Sequence, residues 1–211
     1  MIYVDPFNII GKEKEDICYK ESFLFFAVAV AGKTASVTSK KINAVLNEVM
    51  EGKRGSIFKT IKEKYENNNY KDFLLILQKH KTGKYNTLVR FTKDFINKDI
   101  NLNNTTVEEL ESLTGVGKKS SRFYMVYNNA SNKDYAVLDT HILRFMKRFG
   151  VRTPKNTPTG NHYDRLEKIY LKIYKKSGFR GSLRDFDYAI WETQGNLVLP
   201  NSDDFIANAI I

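Results

Sequence analysis

Four stretches of this chain set apolar side chains three and four residues apart, and hardly any stretch sets them two apart. Ile42, Val45, Leu46 and Val49 make one such face. Tyr70, Phe73, Leu74 and Leu77 make a second, Ile142, Phe145, Met146 and Phe149 a third, and Tyr163, Leu166, Tyr170, Ile173 and Tyr174 a fourth. A helix turns once in about 3.6 residues, so each set lies on one side of a helix that must be buried there, whereas a half-buried strand would alternate. The β-branched and aromatic run FLFFAVAVA at residues 23–31 has no evident partner strand. It falls short of the roughly 20 residues a bilayer span takes, and the mixed-charge KEKEDICYKE before it does not suit a signal peptide. It is read as a buried helix.

Punctuation agrees with helices. Thr105-x-x-Glu108 and Thr106-x-x-Glu109 are both capping-box candidates, and Gly150 follows the Phe149 face as a C-terminal stop. Turns are predicted at Glu51–Gly55, Lys81–Gly83, Asn97–Asn104, Ala130–Asp134 and Arg152–Gly160. The predicted fold is all-α, with about nine or ten helices. At 211 residues the chain can build a core as one domain or two small ones.

Charge bears on partners. Lys and Arg number 34 against 24 Asp and Glu, a net +10, and the basic residues are dispersed along the chain. That balance favours a polyanion, whose condensed counterions are released on binding, although a lysine-rich solvated surface would read the same. The one cysteine, Cys18, rules out an internal disulfide and a four-cysteine iron–sulfur cluster and suits a reducing compartment. Together with the scattered His80, His141 and His162 it argues against a Cys/His zinc site, so no metal ligands are expected.

The chemistry concentrates in residues 113–141, LTGVGKKSSRFYMVYNNASNKDYAVLDTH. Gly115 and Gly117 flank Val116, allow backbone angles closed to other residues, and leave no side chain between the amides and a ligand. A helix that starts there offers unpaired N–H groups and a partial positive charge, which together suit a phosphate. An ordinary connection between two helices would also use glycines. Lys118 and Lys119 stand in the first turn of that helix. A cation is disfavoured at a helix N-terminus, which is useful for a nucleophile because the neutral amine is the reactive form. The plain alternative for either lysine is a solvated surface residue. Asp139, before Thr140-His141-Ile142, fits a helix N-cap, and the same carboxylate could stabilise positive charge at a sugar C1′ or shuttle protons.

LTGVGKKSS followed by VLDTHILR resembles the helix–hairpin–helix DNA glycosylase superfamily, to which endonuclease III and the 8-oxoguanine DNA glycosylases belong. The family's catalytic lysine is the second residue after the hairpin's second glycine, here Lys119. Its aspartate, in the hydrophobic-Asp-x-His segment, is here Asp139. The hairpin residues Gly115, Val116, Gly117 and Lys118 would grip the DNA backbone without reading bases. Members with lysine at this position usually also cut the backbone, so the resemblance implies a bifunctional glycosylase and abasic-site lyase. AVAVAGKTASVTSKK (27–41) is similar to the endonuclease III segment that fills the gap left by a flipped base, with Lys33 at that place. Gly83-Lys84-Tyr85-Asn86 looks like the second wedge, with Lys84 inserting beside Tyr85 and Asn86. Lysines at both wedge positions depart from the family's pattern. The resemblance covers residues 20–150 well and the C-terminal third loosely.

The missing C-terminal cysteines and the ending DYAIWETQG (187–195) are closer to the cluster-free 8-oxoguanine glycosylases. There the last helix walls the base pocket, which makes Trp191 a stacking candidate and Gln194 a candidate for hydrogen bonding a base edge. For Trp191 the plain alternative is a core residue.

The family architecture implies two helical domains flanking a DNA-binding cleft: a barrel-like domain at 24–133 with the hairpin, and a second made of 1–23 plus 134–211 that carries Asp139. The implied function is removal of an oxidised base, 8-oxoguanine before oxidised pyrimidines, from double-stranded DNA with a damaged base or abasic site. No catalytic cofactor and no iron–sulfur cluster are expected, although relatives can hold a structural monovalent cation at the hairpin. A cytoplasmic monomer is expected, nucleoid-associated if prokaryotic, neither secreted nor membrane-bound. A non-catalytic DNA-binding module with the same hairpin is the competing class.

Overall fold

In a computed structural model of the chain, the residues described are 3–6, 16–128 and 134–199; most of the turn expected at Ala130–Asp134 and the C-terminal SDDFIANAII lie outside them. The described residues form ten α-helices and one short 3-10 turn at Glu66–Asn68, with no strand among them. The helices are α1 (Ile17–Val30), α2 (Ala35–Met50), α3 (Ile57–Tyr65), α4 (Lys71–Lys79), α5 (Tyr85–Lys98), α6 (Val107–Glu111), α7 (Lys118–Asn128), α8 (Thr140–Arg148), α9 (Gly160–Lys176) and α10 (Leu183–Glu192). The all-α expectation holds. No helix among them is long and apolar enough to cross a membrane.

By packing, the chain divides into two compact units, Met1–Tyr124 and Met125–Ile211, with the division inside α7. The family-derived domains cut the chain after residue 133 and group residues 1–23 with the C-terminal part.

In the first unit, the run read as a buried helix is α1. Phe23 to Ala29 are buried on every side of it, so over these turns α1 has no solvent face. Asp16 starts the helix by accepting from the Cys18 amide at 2.9 Å. Phe25 packs on Phe58, Phe73 and Phe91 at ring separations of 6.4, 6.2 and 6.1 Å, and Phe58 stacks on Phe95 at 4.0 Å. Each such buried ring contributes about 2–3 kcal/mol. Phe123 of α7 reaches the same core, 5.1 Å from Phe23.

A buried carboxylate joins α1 to α3. Glu21 accepts from Ser56 Oγ at 2.8 Å, from Phe58 N at 3.1 Å and from Ile57 N, meeting the open amides of the α3 N-terminus. Burial pushes its carboxyl above the ordinary range, and these three bonds oppose that shift.

In the second unit, Phe186 of α10 is the centre of the core, with Phe145, Tyr170, Tyr174 and Phe179 at 5.2 to 5.8 Å. Gly150 takes φ +75° just past α8, as the stop signal predicts. The capping box before the hairpin is the Thr106–Glu109 pair. A second, Ser182 with Asp185, opens α10.

Glu21→Leu keeps the bulk and removes the acceptor for three donors. We expect it to lower stability by about 2–4 kcal/mol in chemical denaturation, with Glu21→Gln, which retains one acceptor oxygen, losing less. Equal losses would assign the effect to packing instead.

Candidate active site

The Gly-Val-Gly turn lies between α6 and α7, as a helix–hairpin–helix requires. Two side chains hold its entry. Asp94 of α5 accepts from Thr114 N at 3.0 Å and from the Thr114 hydroxyl, and Val116 N closes the turn on Leu113 O at 3.1 Å. Glu111 of α6 accepts from Ser121 Oγ at 2.9 Å and pairs with the buried guanidinium of Arg122, tying α6 to α7.

The two glycines do different things. Gly115 takes φ +82°, and a Cβ there would stand 2.5 Å from Thr87 Cγ2 and 3.6 Å from Val28 Cγ1. It is required by the fold. Gly117 has no such backbone demand, and a Cβ there would meet nothing within 4 Å. Its carbonyl starts α7 by accepting from Ser121 N at 3.0 Å, so the open space fronts the amides of the first helical turn. Val116 between them is buried, while Lys118 and Lys119 are half-buried in that turn.

Lys33 and Lys84, far apart in sequence, are drawn to the same neighbourhood. The Lys33 ammonium donates to Thr82 O and lies 2.9 Å from where a Gly83 Cβ would be, so it sits on the loop carrying Lys84. Partial burial lowers the Lys33 amine, with the charge of Lys41 adding to it. Lys84 takes φ +52° before α5, and its amine is lowered by partial burial first, then by the positive charges of Lys33 and Lys119. Tyr85 and Asn86 open α5, the first half-buried and the second exposed. The Lys84 amine thus feels both of the other singled-out amines, at 33 and 119.

In the second unit, Asp139 caps α8 as its sequence context predicts. Its Oδ1 accepts from both His141 N and Ile142 N at 2.8 Å, and neither bond uses Oδ2. Nearby lies a buried acid that sequence reasoning did not single out. Asp187 of α10 accepts from Tyr170 Oη. Burial, with help from the charge of Asp139, pushes its carboxyl up to about 8, against the Tyr170 hydroxyl and the Val137 amide that favour the charged form. The Tyr127 and Tyr170 hydroxyls are raised by burial and by the same two aspartates.

Trp191 is half-buried on α10 with its ring 5.8 Å from Tyr188, outside the unit's buried core. Gln194 does not continue the helix. Gly195 N bonds Ile190 O at 2.7 Å and Gln194 N bonds Trp191 O at 3.0 Å, a Schellman ending with Gln194 at φ +53°. α10 ends at Glu192, so it carries Trp191 but not Gln194, which stands exposed in the turn. Gly195 is required there, since a Cβ would come 2.7 Å from His141 O.

A family model described as 8-oxoguanine DNA glycosylase, of the helix–hairpin–helix kind, matches residues 3–179. The chain belongs to the 8-oxoguanine DNA glycosylase family. An 8-oxoguanine DNA glycosylase/AP lyase of Thermoplasma acidophilum is 23% identical over 202 residues, covering 93% of this chain and 89% of its own. One of the same name from Saccharolobus solfataricus is 24% identical over 199 residues, covering 93% and 91%. No solved structure matches the chain. Lys119 and Asp139, the two residues that the motif resemblance singles out, both stand at helix N-termini.

Two outcomes follow for the site. Gly115→Ala is expected to cost about 2–3 kcal/mol, from the left-handed backbone and the Thr87 contact, while Gly117→Ala stays within about 0.5 kcal/mol of wild type by thermal melting. The second concerns Asp187. A carboxyl raised by folding contributes most below its unfolded value of about 3.9, and that stability is lost as pH rises toward 8. Melts of wild type and Asp187→Asn should therefore diverge, wild type losing ground across this window by no more than about 1.4 kcal/mol per pH unit. Parallel pH profiles would contradict a buried, protonated Asp187.

Proposed function

We propose that this protein is a DNA glycosylase with abasic-site lyase activity that removes 8-oxoguanine from duplex DNA and nicks the strand. The observation that carries this reading is Lys119 in the first turn of α7, directly behind a glycine turn whose outer face is open, in a chain of the 8-oxoguanine DNA glycosylase family. The open amides and the positive charge suit a phosphate, and the lysines at 33 and 84 add attraction for the backbone.

The chemistry balances without a cofactor. Lys119 Nζ attacks C1′ and the C1′–N bond to the base breaks, the base leaving with the electron pair and taking up a proton. The amine loses a proton, and opening of the sugar ring gives a Schiff base between Nζ and C1′. Loss of a C2′ proton then expels the 3′ phosphate. Asp139 stabilises positive charge developing at C1′ or takes the amine proton. Its geometry supports a double duty, because Oδ1 alone serves the helix cap and Oδ2 takes no hydrogen bond among the described residues. The damaged base would leave the stack and meet Trp191 and Gln194, with Lys33, Lys84, Tyr85 and Asn86 filling the gap.

The test is a panel of duplexes holding one 8-oxoguanine, thymine glycol, uracil or abasic site, with base release and nicking assayed separately. We expect release and nicking at 8-oxoguanine, and a borohydride-trapped adduct that Lys119→Gln abolishes. Asp139→Asn should keep duplex affinity and lose base release by about a hundred- to a thousandfold. Preference for thymine glycol would move the substrate to oxidised pyrimidines. Salt-sensitive duplex binding with neither base release nor adduct would make the protein a binding module.

A further inference from the structure

The three residues that lead into Asp139 are buried, yet they belong to no helix or sheet. Ala136 and Leu138 are fully buried and Val137 nearly so. Buried backbone amides need partners, and without a neighbouring strand they must find them on side chains. Both of the outer amides find them on α9. Ala136 N donates to Glu167 Oε1 at 2.8 Å. Leu138 N donates to Tyr163 Oη at 3.1 Å, while the same hydroxyl donates to Ala136 O at 2.8 Å. The middle amide, Val137, faces Asp187 of α10. Asp139 then folds back on this segment through its own N–H, which donates to Val137 O at 3.1 Å.

The two spacings match. Residues two apart along a chain are separated by at most about 7 Å. Residues four apart on a helix share a face and are separated by a rise of about 6 Å. Positions 163 and 167 of α9 therefore present an acceptor to each of positions 136 and 138 with little distortion. A buried carboxylate is a costly way to meet one amide, and an ordinary loop could turn that amide to water instead. What this arrangement adds is rigidity on the upstream side of Asp139, whose downstream side is already held by α8 through Oδ1.

We propose that Tyr163 and Glu167 are positioning residues for base release: they set the backbone of 136–138 so that Oδ2 of Asp139 is held where the reaction needs it. This rests on Asp139 carrying the base-release step. Neither residue touches the reacting atoms.

The experiment uses the full-length chain and an 8-oxoguanine duplex under single-turnover conditions with enzyme saturating. Tyr163→Phe removes the oxygen that bridges Ala136 O and Leu138 N. Glu167→Leu removes the acceptor for Ala136, and Glu167→Gln retains one. We expect Tyr163→Phe and Glu167→Leu to slow base release by about ten- to a hundredfold, as a displaced catalytic group does, with duplex affinity unchanged and a cooperative melt above the assay temperature. Glu167→Gln should recover most of the rate. In an Asp139→Asn background the same substitutions should cost no more than about twofold further, because what they position is already gone. A merely structural role would not show that dependence.

Wild-type rates in folded Tyr163→Phe and Glu167→Leu, beside an inactive Asp139→Asn, would overturn the proposal. Undiminished losses in the Asp139→Asn background would overturn it equally. Should Glu167→Leu fail to fold, Tyr163→Phe, which deletes a single oxygen, decides the matter. If wild type and Asp139→Asn release the base equally, the assignment of Asp139 is wrong and the positioning role falls with it, an outcome distinct from the first two.

Discussion

The first unit is built round a helix whose middle turns have no solvent face. Because Phe23 to Ala29 are buried all round α1, its neighbours must each present an apolar side to it, and its few polar groups must be met inside. Glu21 meets this demand by capping α3. The constraint then passes outward to the candidate site. Val28 of α1 and Thr87 of α5 together form the wall against which Gly115 lies, with no room for a Cβ. The glycine turn is thus seated on the core rather than hung from it, and Asp94 and Glu111 fasten its two ends. The phosphate grip proposed for these backbone amides would depend on such seating, since an amide that moves with a loop loses the geometry that makes it a good donor.

Local signals made much of this legible in the amino-acid sequence. Helical periodicity gave the fold class, and short-range caps gave Asp139, the Thr106–Glu109 box and the stop at Gly150, because in each case the partners lie within four residues. The buried helix at 23–31 was legible by exclusion. Partners far apart in sequence were not. Nothing local links Asp94 to Thr114, or Lys33 to the carbonyl of Thr82, and neither pairing has a periodicity. The turn that holds Gln194 was hidden for a related reason: the helix ends where Gly195 backs onto His141 O, a contact with a residue more than fifty positions earlier.

Tyr163 and Tyr170 show a subtler limit. Both belong to an apolar face of α9, and their rings are buried as that face predicts. Their hydroxyls, however, do polar work at the far end of each ring, one on the 136–138 backbone and the other on Asp187. Hydrophobic patterning counts a tyrosine once and sees the ring; the second role appears only when a buried acceptor is found within reach. Glu167 was hidden in the opposite way, as one charged residue among many on a helix whose exposed side is charged.

These buried polar groups bear on how a single aspartate can serve both fold and chemistry. A helix cap needs a carboxylate oxygen turned inward, to the amides; catalysis needs one turned out, to substrate. In the reaction proposed, Asp139 divides the tasks between its two oxygens, with Oδ1 on the cap and Oδ2 left for substrate, which works only if the carboxylate plane is held. The nearest buried acid could have spoiled this arrangement. A charged Asp187 would place a second negative group near the first; burial opposes this by favouring the protonated form, in which it remains a hydrogen-bond partner for Tyr170 without adding charge. The cost of burying an acid thereby becomes the means of keeping its neighbourhood free of a competing anion.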